Sequence, residues 1–398
     1  MRSTRILTLL AIAGLTLVIL ATACTPAAVP TAIPTQAPAV PTKAPAAPTA
    51  PPTAAPTAAP TSAPTAKPTA AQPRTLRVLT HTSFAATKSL IQDFEKANNV
   101  TLQFAQGGDA GETLNKAILA KGNPLADVIY GVDNALLSRA INADILEPYA
   151  SPALADIPTD LKLDASNRLL PVDVGYVGLN YDKKYFLTKG LDVPQRLEDL
   201  VKPAYKGLLV VENPAASSPG LDFLMATVNA FGESGAYTWE TYWQDLRKND
   251  VLVVNGWTEA YYNEFSATGK GKRPLVVSYS TSPCAELFFA ADPKPPEPPT
   301  GNILPAKGSF RQVEFVGILK GAKEPELARK FVDFMLGKAF QDDVPLQMWM
   351  YPASGKASIP DLYTKFAPLP SQPAVIDPKT IEEKRDTWIQ RWTQIVLK

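Results

Sequence analysis

The sequence predicts an α/β protein, and two observations carry that prediction. From Thr75 to about Asp173, short apolar runs alternate with segments whose apolar residues recur at helical spacing, and a second alternating block begins at Val174. Such alternation indicates a parallel sheet covered by helices on both faces. A third observation concerns chemistry. Between Val251 and Pro283 the apolar runs end in rings and hydroxyls: VLVVNGWTEAYYNEF, then a Gly/Lys-rich turn, then PLVVSYSTSP. Strand ends of this composition are where open α/β sheets hold small molecules.

The chain of 398 residues does not fold throughout. Arg2 and Arg5 precede an apolar run from Ile6 to Ala21, and small residues lead into Cys24. This is a secretory signal of the lipoprotein kind, residues 1–23, too short to span a membrane as a helix. Cleavage before Cys24 leaves its thiol as lipid acceptor, although Ala21 stands where leucine is more usual. Ordinary secretion with cleavage near Ala23 is the alternative. Residues 24–73 are then a Pro/Ala/Thr-rich stalk, charged only at Lys43 and Lys67. A segment so poor in large apolar residues buries no core and extends as polyproline II, on the order of 150 Å at about 3.1 Å per residue.

The folded part opens with a strand at Leu76–Thr80. Ser83 is placed to cap a helix running to Asn98, whose Leu90, Ile91, Phe94 and Ala97 share a face. A strand at Val100–Phe104 leads through the turn Gly107-Gly108-Asp109 into a helix carrying Leu114, Ala117 and Ile118, ended by Gly122. Asp127–Tyr130 is a third strand closed by Gly131, and Asp133-Asn134 opens the next helix. In the second block come the strand Val174–Asn180, a short helix at Leu197–Leu200 and the strand Leu208–Glu212. The loop Asn213–Gly220 contains Ser217 and Ser218, and helices follow at Gly220–Phe231 and Ala236–Lys248. The second helix carries Tyr237, Trp239, Tyr242 and Trp243 as packing. After Val251–Val254, a helix starting at Thr258 would put Trp257 and Tyr261 on one face. The run Leu275–Val277 delivers Ser278, Tyr279, Ser280, Thr281 and Ser282. Glu286–Gly301 reads as a Pro-rich loop, Arg311–Leu319 as a strand, Pro325–Leu336 as an amphipathic helix, Trp349–Pro352 as an aromatic turn and Thr380–Val396 as a closing helix.

Several function classes are disfavoured by what the chain lacks. His81 is the single histidine, which removes most histidine-based catalysis and histidine-rich zinc sites. There is no GxSxG elbow and no GxxxxGK[ST] phosphate loop. A net charge of +1 gives no electrostatic case for nucleic acid. Cys24 and Cys284 are the only cysteines, so a lipidated Cys24 leaves no intrachain disulfide. No cofactor and no metal are expected.

From about Thr75 to the C-terminus the chain resembles the thiamine-binding solute receptors of bacterial ABC importers. The motifs THTSFAA, LADVIYGVDNALL, PVDVGYVGLNYD, NPAASSPGL, VNGWTEAY, LVVSYSTSP and WMYP carry the likeness through their order and spacing. The resemblance implies a type II periplasmic-binding-protein fold of two lobes joined by a hinge. Residues 74–173 would begin lobe 1, 174–279 form lobe 2, and 280–398 return to lobe 1. It places ligand contacts at Asp109, Ala110, Ser217, Ser218, Trp257 and Tyr279 through Ser282 (Ser280 and Thr281 between them), with Tyr261 and Trp349 at nearby aromatic positions. His81 stands where the family usually has a tyrosine. Thiamine joins a flat aminopyrimidine to a cationic thiazolium, so aromatic faces and a carboxylate such as Asp109 suit it. Ser217 and Ser218, before a helix, suit a thiamine phosphate.

The expected function is a monomeric, lipid-anchored receptor on the outer face of the cytoplasmic membrane. It would capture thiamine or a thiamine phosphate, hand it to an ABC importer permease, and engage no nucleic acid. Two alternatives stand beside it. One is a ferric-iron receptor of the same fold, since Tyr261-Tyr262 is a phenolate pair. The other is a thiamine-degrading enzyme using Cys284 as nucleophile.

Overall fold

A computed structural model describes residues 73–268, 271–374 and 376–398. The signal segment, Cys24 and the stalk lie outside the described residues. The strands are β1 (Arg74–Thr80), β2 (Val100–Gln106), β3 (Val128–Asp133), β4 (Leu146–Glu147), β5 (Leu170–Asp182), β6 (Leu209–Glu212), β7 (Leu252–Val254), β8 (Leu275–Tyr279), β9 (Thr300–Ile303), β10 (Phe310–Leu319) and β11 (Tyr351–Pro352). They join in the order β2-β1-β3-β10-β5-β8-β6-β7, with β4 on β10 and with β9 and β11 on β5.

The expectation of a parallel sheet holds only at the two ends. β1 pairs parallel with β2 and β3, and β6 pairs parallel with β7 and β8. Between these wings, β10 is antiparallel to β3 and β5, and β5 is antiparallel to β8. The reason is the length of β5. Its first half, Leu170–Val177, pairs with β10, while Val177–Asp182 pairs with β8 on one edge and β9 on the other. One uninterrupted strand therefore belongs to both wings and carries the chain from one to the other. Its near-continuous burial, with Val172, Val177 and Leu179 inaccessible, is what a strand covered on both faces requires.

Several boundaries differ from expectation for identifiable reasons. The first helix begins at Lys88, not Ser83, because Thr87 rather than Ser83 turns the chain; its N–H and hydroxyl are both held by Asp343, at 2.8 and 2.6 Å. β3 is not closed by Gly131 but continues to Asp133. Gly131 has φ +98°, and a Cβ there would lie 2.3 Å from the His81 ring, so glycine keeps the strand running beside that imidazole. Asp133 ends the strand, and the helix behind it starts at Leu137. The Pro-rich stretch after Tyr279 is only partly loop: a helix spans Ser282–Phe289 and β9 occupies Thr300–Ile303.

The core follows the apolar faces read above. Phe94 packs edge-on against Phe331 of the helix Pro325–Leu336 at 5.5 Å. Trp239, Tyr242 and Trp243 of the helix Trp239–Lys248 are buried, and Trp243 meets Trp392 of the closing helix Pro378–Val396 at 5.5 Å. Tyr237 precedes that helix and is exposed. Among the described residues no helix is long and apolar enough to cross a membrane.

Candidate functional site

The two wings face each other across a cavity of about 580 Å³, within the size range of small-molecule sites. Three connections cross it. Asp109 ends the turn after β2 and caps the helix Ala110–Leu119: its Oδ1 accepts from the Ala110 N–H at 2.8 Å. Its Oδ2 reaches the opposite wing and accepts from the Trp257 N–H at 3.1 Å. Ser218, first residue of the helix Ser218–Phe231, donates to Asp133 at the end of β3. The helix bearing Gly111 comes so close to the loop before Ser218 that a Cβ at 111 would lie 2.7 Å from the Ala216 carbonyl.

The aromatic wall is built on a short helix that changes pitch. Residues Trp257–Glu259 are α-helical and Ala260–Glu264 form a π turn, a local irregularity found often at functional sites. The helix begins at Trp257, one residue before the expected Thr258. Trp257 and Tyr261 stack at 4.9 Å with 20° between planes, and Tyr279 at the end of β8 stands 6.4 Å from the indole. The indole N–H donates to Ser278 Oγ at 2.8 Å, which lies 2.9 Å from Ser282 Oγ. The Tyr279 hydroxyl donates to Gln312 at 2.9 Å. These bonds hold both rings in place.

His81, at the end of β1, sits on the other side of the cavity with Glu314 of β10. Its Nε2 is 3.6 Å from Glu314 Oε1, and its Nδ1 accepts from the Ser83 N–H at 3.1 Å. Burial pulls the imidazole pKa down, but Glu314, with Asp109 and Asp133 further off, outweighs it and leaves the pKa raised. Behind Glu314 the Tyr130 hydroxyl lies between Asp173 and Glu314 Oε2, the latter at 2.9 Å. One phenolic proton serves one of these carboxyls. Burial and the neighbouring Glu314 push the Asp173 pKa well above the ordinary carboxylate range, while His81, working against burial, holds that of Glu314 below it. Burial, eased by the Ser218 hydroxyl, brings Asp133 to about 6.

Of the residues singled out from the sequence, His81, Asp109, Ser218, Trp257, Tyr261, Tyr279, Thr281, Ser282 and Trp349 line this cavity. Ala110, Ser217 and Ser280 are buried behind it and do not. Ser217 does not cap the helix through its side chain. Thr281 lines the cavity, and its buried hydroxyl has no partner among the described residues. Trp349 stands at the rim at φ +57°, packed against Phe288 and Phe289 at 5.3 and 5.5 Å. Tyr262, second residue of the phenolate pair on which the alternative iron reading rests, also lines the cavity, and its ring is nearly perpendicular to that of Tyr261 at 80°. Burial, then Glu286, pushes the Tyr261 pKa well above 10.

The family described as bacterial extracellular solute-binding protein matches residues 123–375. The thiamine-binding periplasmic protein of Escherichia coli (strain K12) is 31% identical over 326 residues, covering 81% of this chain and 93% of that protein. This chain belongs to the bacterial extracellular solute-binding proteins. Among solved structures, a periplasmic thiamin binding protein superposes with a TM-score of 0.71 at 28% identity, over 81% of this chain and 96% of that one. A ferric binding protein from Campylobacter jejuni superposes with a TM-score of 0.64 at 18% identity, over 80% and 99%, a likeness of fold alone. The solute-binding protein thus has the two-lobed type II periplasmic-binding-protein fold, and its resemblance to the thiamine-binding receptors extends over the whole folded part.

Sequence reasoning missed two cavity carboxyls of this solute-binding protein, Glu286 and Glu314. Glu314 alternates in β10 with core residues and gave no signal. Glu286 was hidden by reading its surroundings as loop. On a helix from Ser282 it falls one turn after that serine, on the cavity side. Cys284 lies on the same helix facing away: it is fully buried, its thiol donates to the Leu362 carbonyl at 3.4 Å, and burial pushes its pKa up to about 12.

Proposed function

We propose that the protein is a lipid-anchored receptor that captures thiamine at the outer face of the cytoplasmic membrane and delivers it to an ABC importer permease. One observation supports this most: the cavity joins the rings of Trp257, Tyr261 and Tyr279 to the carboxyls of Asp109, Glu286 and Glu314, and among the described residues no lysine or arginine lines it. Such a cavity favours a flat organic cation, each good aromatic contact contributing roughly 0.5–2 kcal/mol. Tyr261 covers one face of the indole, which leaves the other for the ligand. Capture proceeds by closure of residues 174–279 onto 74–173 and 280–398, with the contacts of Asp109 and Ser218 stabilising the closed state. Cys24 carries the lipid, residues 24–73 form the stalk, and the receptor acts as a monomer.

Thiamine phosphates rank second. The helix N-terminus at Ser218 that would receive a phosphate already faces the Asp133 carboxyl. Ferric iron ranks lower, because a phenolate at Tyr261 would lie against Glu286, which already accepts its hydrogen bond. A thiamine-degrading enzyme ranks lowest: a thiol as buried and as weakly acidic as Cys284 is no nucleophile at neutral pH.

Equilibrium dialysis of the full chain against labelled thiamine tests the proposal. Retention of about one thiamine per chain, displaced by unlabelled thiamine and not by ferric citrate, is the expected result. No retention at millimolar thiamine would overturn it.

A further inference from the structure

Three carboxyls on the cavity wall differ in what balances their charge. Asp109 receives two peptide N–H groups at a helix N-terminus. Glu314 faces His81. Glu286 has neither. Its Oε1 accepts from the Tyr261 hydroxyl and its Oε2 from the Thr300 hydroxyl at 2.5 Å. The charged groups around it offset one another. Asp182 and Lys183 lie beyond β9, and Lys183 is itself paired with Glu297 at 3.1 Å. Tyr261 and Tyr262 face it from the π turn, and the helix Asp361–Phe366 touches the opposite side of its own helix, at Cys284. Two hydroxyls orient a carboxylate but do not neutralise it, so a largely buried charge is left facing a cavity whose lining holds no lysine or arginine among the described residues.

We propose that Glu286 is the counter-ion for the ligand's positive charge and the residue that makes this site select a cation over its neutral analogue. The inference rests on the reading of the cavity given above and adds a residue to it. Its consequence is a linkage between ligand and proton. Burial raises the Glu286 pKa to about 7, held there against the hydroxyls of Thr300 and Tyr261. A cation beside it favours the ionised form, so below that value binding releases a proton, and by reciprocity acid weakens binding. Asp133, brought to about 6, also titrates in this range, His81 with its raised pKa adds its own pH dependence, and burial pushes Tyr261 and Tyr262 upward, away from it. The histidine and aspartate contributions are common to wild type and variants, so the difference between pH profiles isolates Glu286.

The test is calorimetric titration of the full chain with thiamine from pH 5.5 to 9, in buffers of different ionisation enthalpy, for wild type, Glu286→Gln and Thr300→Val. The wild type is expected to lose affinity toward tenfold per pH unit below 7 and to release close to one extra proton per ligand at pH 6 relative to Glu286→Gln. Glu286→Gln is expected to bind more weakly at pH 8 and to lose that slope. Thr300→Val keeps the carboxyl but removes a hydroxyl that favours its charged form, so the break should move upward by on the order of one pH unit. Superimposable slopes and proton counts in wild type and Glu286→Gln, or an unmoved break in Thr300→Val, would overturn the inference while thiamine binding stands. Absence of thiamine binding at every pH would instead overturn the reading of the cavity, and this inference with it.

Discussion

Asp109 accepts a hydrogen bond from the Trp257 backbone N–H across the cleft, so one carboxylate caps a helix of one wing and holds the aromatic residue of the other. Cap and clasp can be separated by substitution. Asparagine is as good an N-cap as aspartate, whereas alanine loses the cap, at about 1 kcal/mol. Asp109→Asn should therefore keep its melting temperature and lose thiamine affinity, while Asp109→Ala loses both. Thermal unfolding and calorimetry on the two variants check this; equal affinity in Asp109→Asn and wild type would show that the charge contributes nothing to binding.

Gly111 predicts a closure defect without any change to the cavity lining. A methyl there would press on the Ala216 carbonyl at 2.7 Å. In the helix Ala110–Leu119, alanine is a better helix former than glycine by about 1 kcal/mol, so the free protein should not lose stability. Relieving the clash requires the wings to separate, at about 1–3 kcal/mol, which is roughly 5- to 150-fold in affinity. Gly111→Ala should show that loss together with a larger radius of gyration by small-angle scattering in the presence of thiamine.

The stacked pair Trp257–Tyr261 should dominate affinity. Trp257→Ala removes the ring and the indole donor to Ser278, and should weaken binding by roughly 10-fold or more, given about 0.5–2 kcal/mol for a cation–aromatic contact plus the lost packing. Trp257→Phe keeps a face but not the N–H, and should fall between. Fluorescence quenching by thiamine should disappear largely with the first substitution.

Because the chain has a single histidine, its titration is one resonance. The imidazole of His81 should titrate above its ordinary value of about 6.5, since Glu314 outweighs burial. The stability this gives is complete below about 6.5 and is lost as pH rises through the folded value; Glu314, held below its ordinary range by His81, contributes above its unfolded value and loses that contribution as pH falls through its folded one. Protonation also requires the Ser83 N–H to leave Nδ1, so the THTSF turn should shift with the same midpoint. In Glu314→Gln, burial remains without the charge, and the midpoint should drop below 6.5.

Cys284 should be inert. Native protein should resist iodoacetamide at pH 8 and react only when unfolded, and thiamine incubated with it should be recovered intact.

Much of this was legible in the sequence where local pattern and tertiary role coincide. The apolar periods of Lys88–Asn98 and Pro325–Leu336 gave helices, and the ends of β7 and β8 gave Trp257 and Tyr279. The mixed sheet was not legible, because a strand buried on both faces reads alike whether its neighbours run parallel or antiparallel, and β5 owes its role to length rather than composition. The Ser83 cap failed because a tertiary acceptor, Asp343, fixed the chain at Thr87 instead. Ala110, Ser217 and Ser280 were near the cavity in sequence but point elsewhere, since neighbouring residues at a helix start or strand end face different directions. Glu286 was missed because the prolines after it concealed the helix that carries it.

A cleft between the wings that captures a flat cation must hold it against Trp257 and Tyr279. A crystal structure of the full chain with thiamine decides this. The thiazolium or aminopyrimidine plane should lie against the indole, inside the cavity, with Asp109 still bound to the Trp257 N–H. Thiamine bound elsewhere, with both rings uncovered, would contradict it.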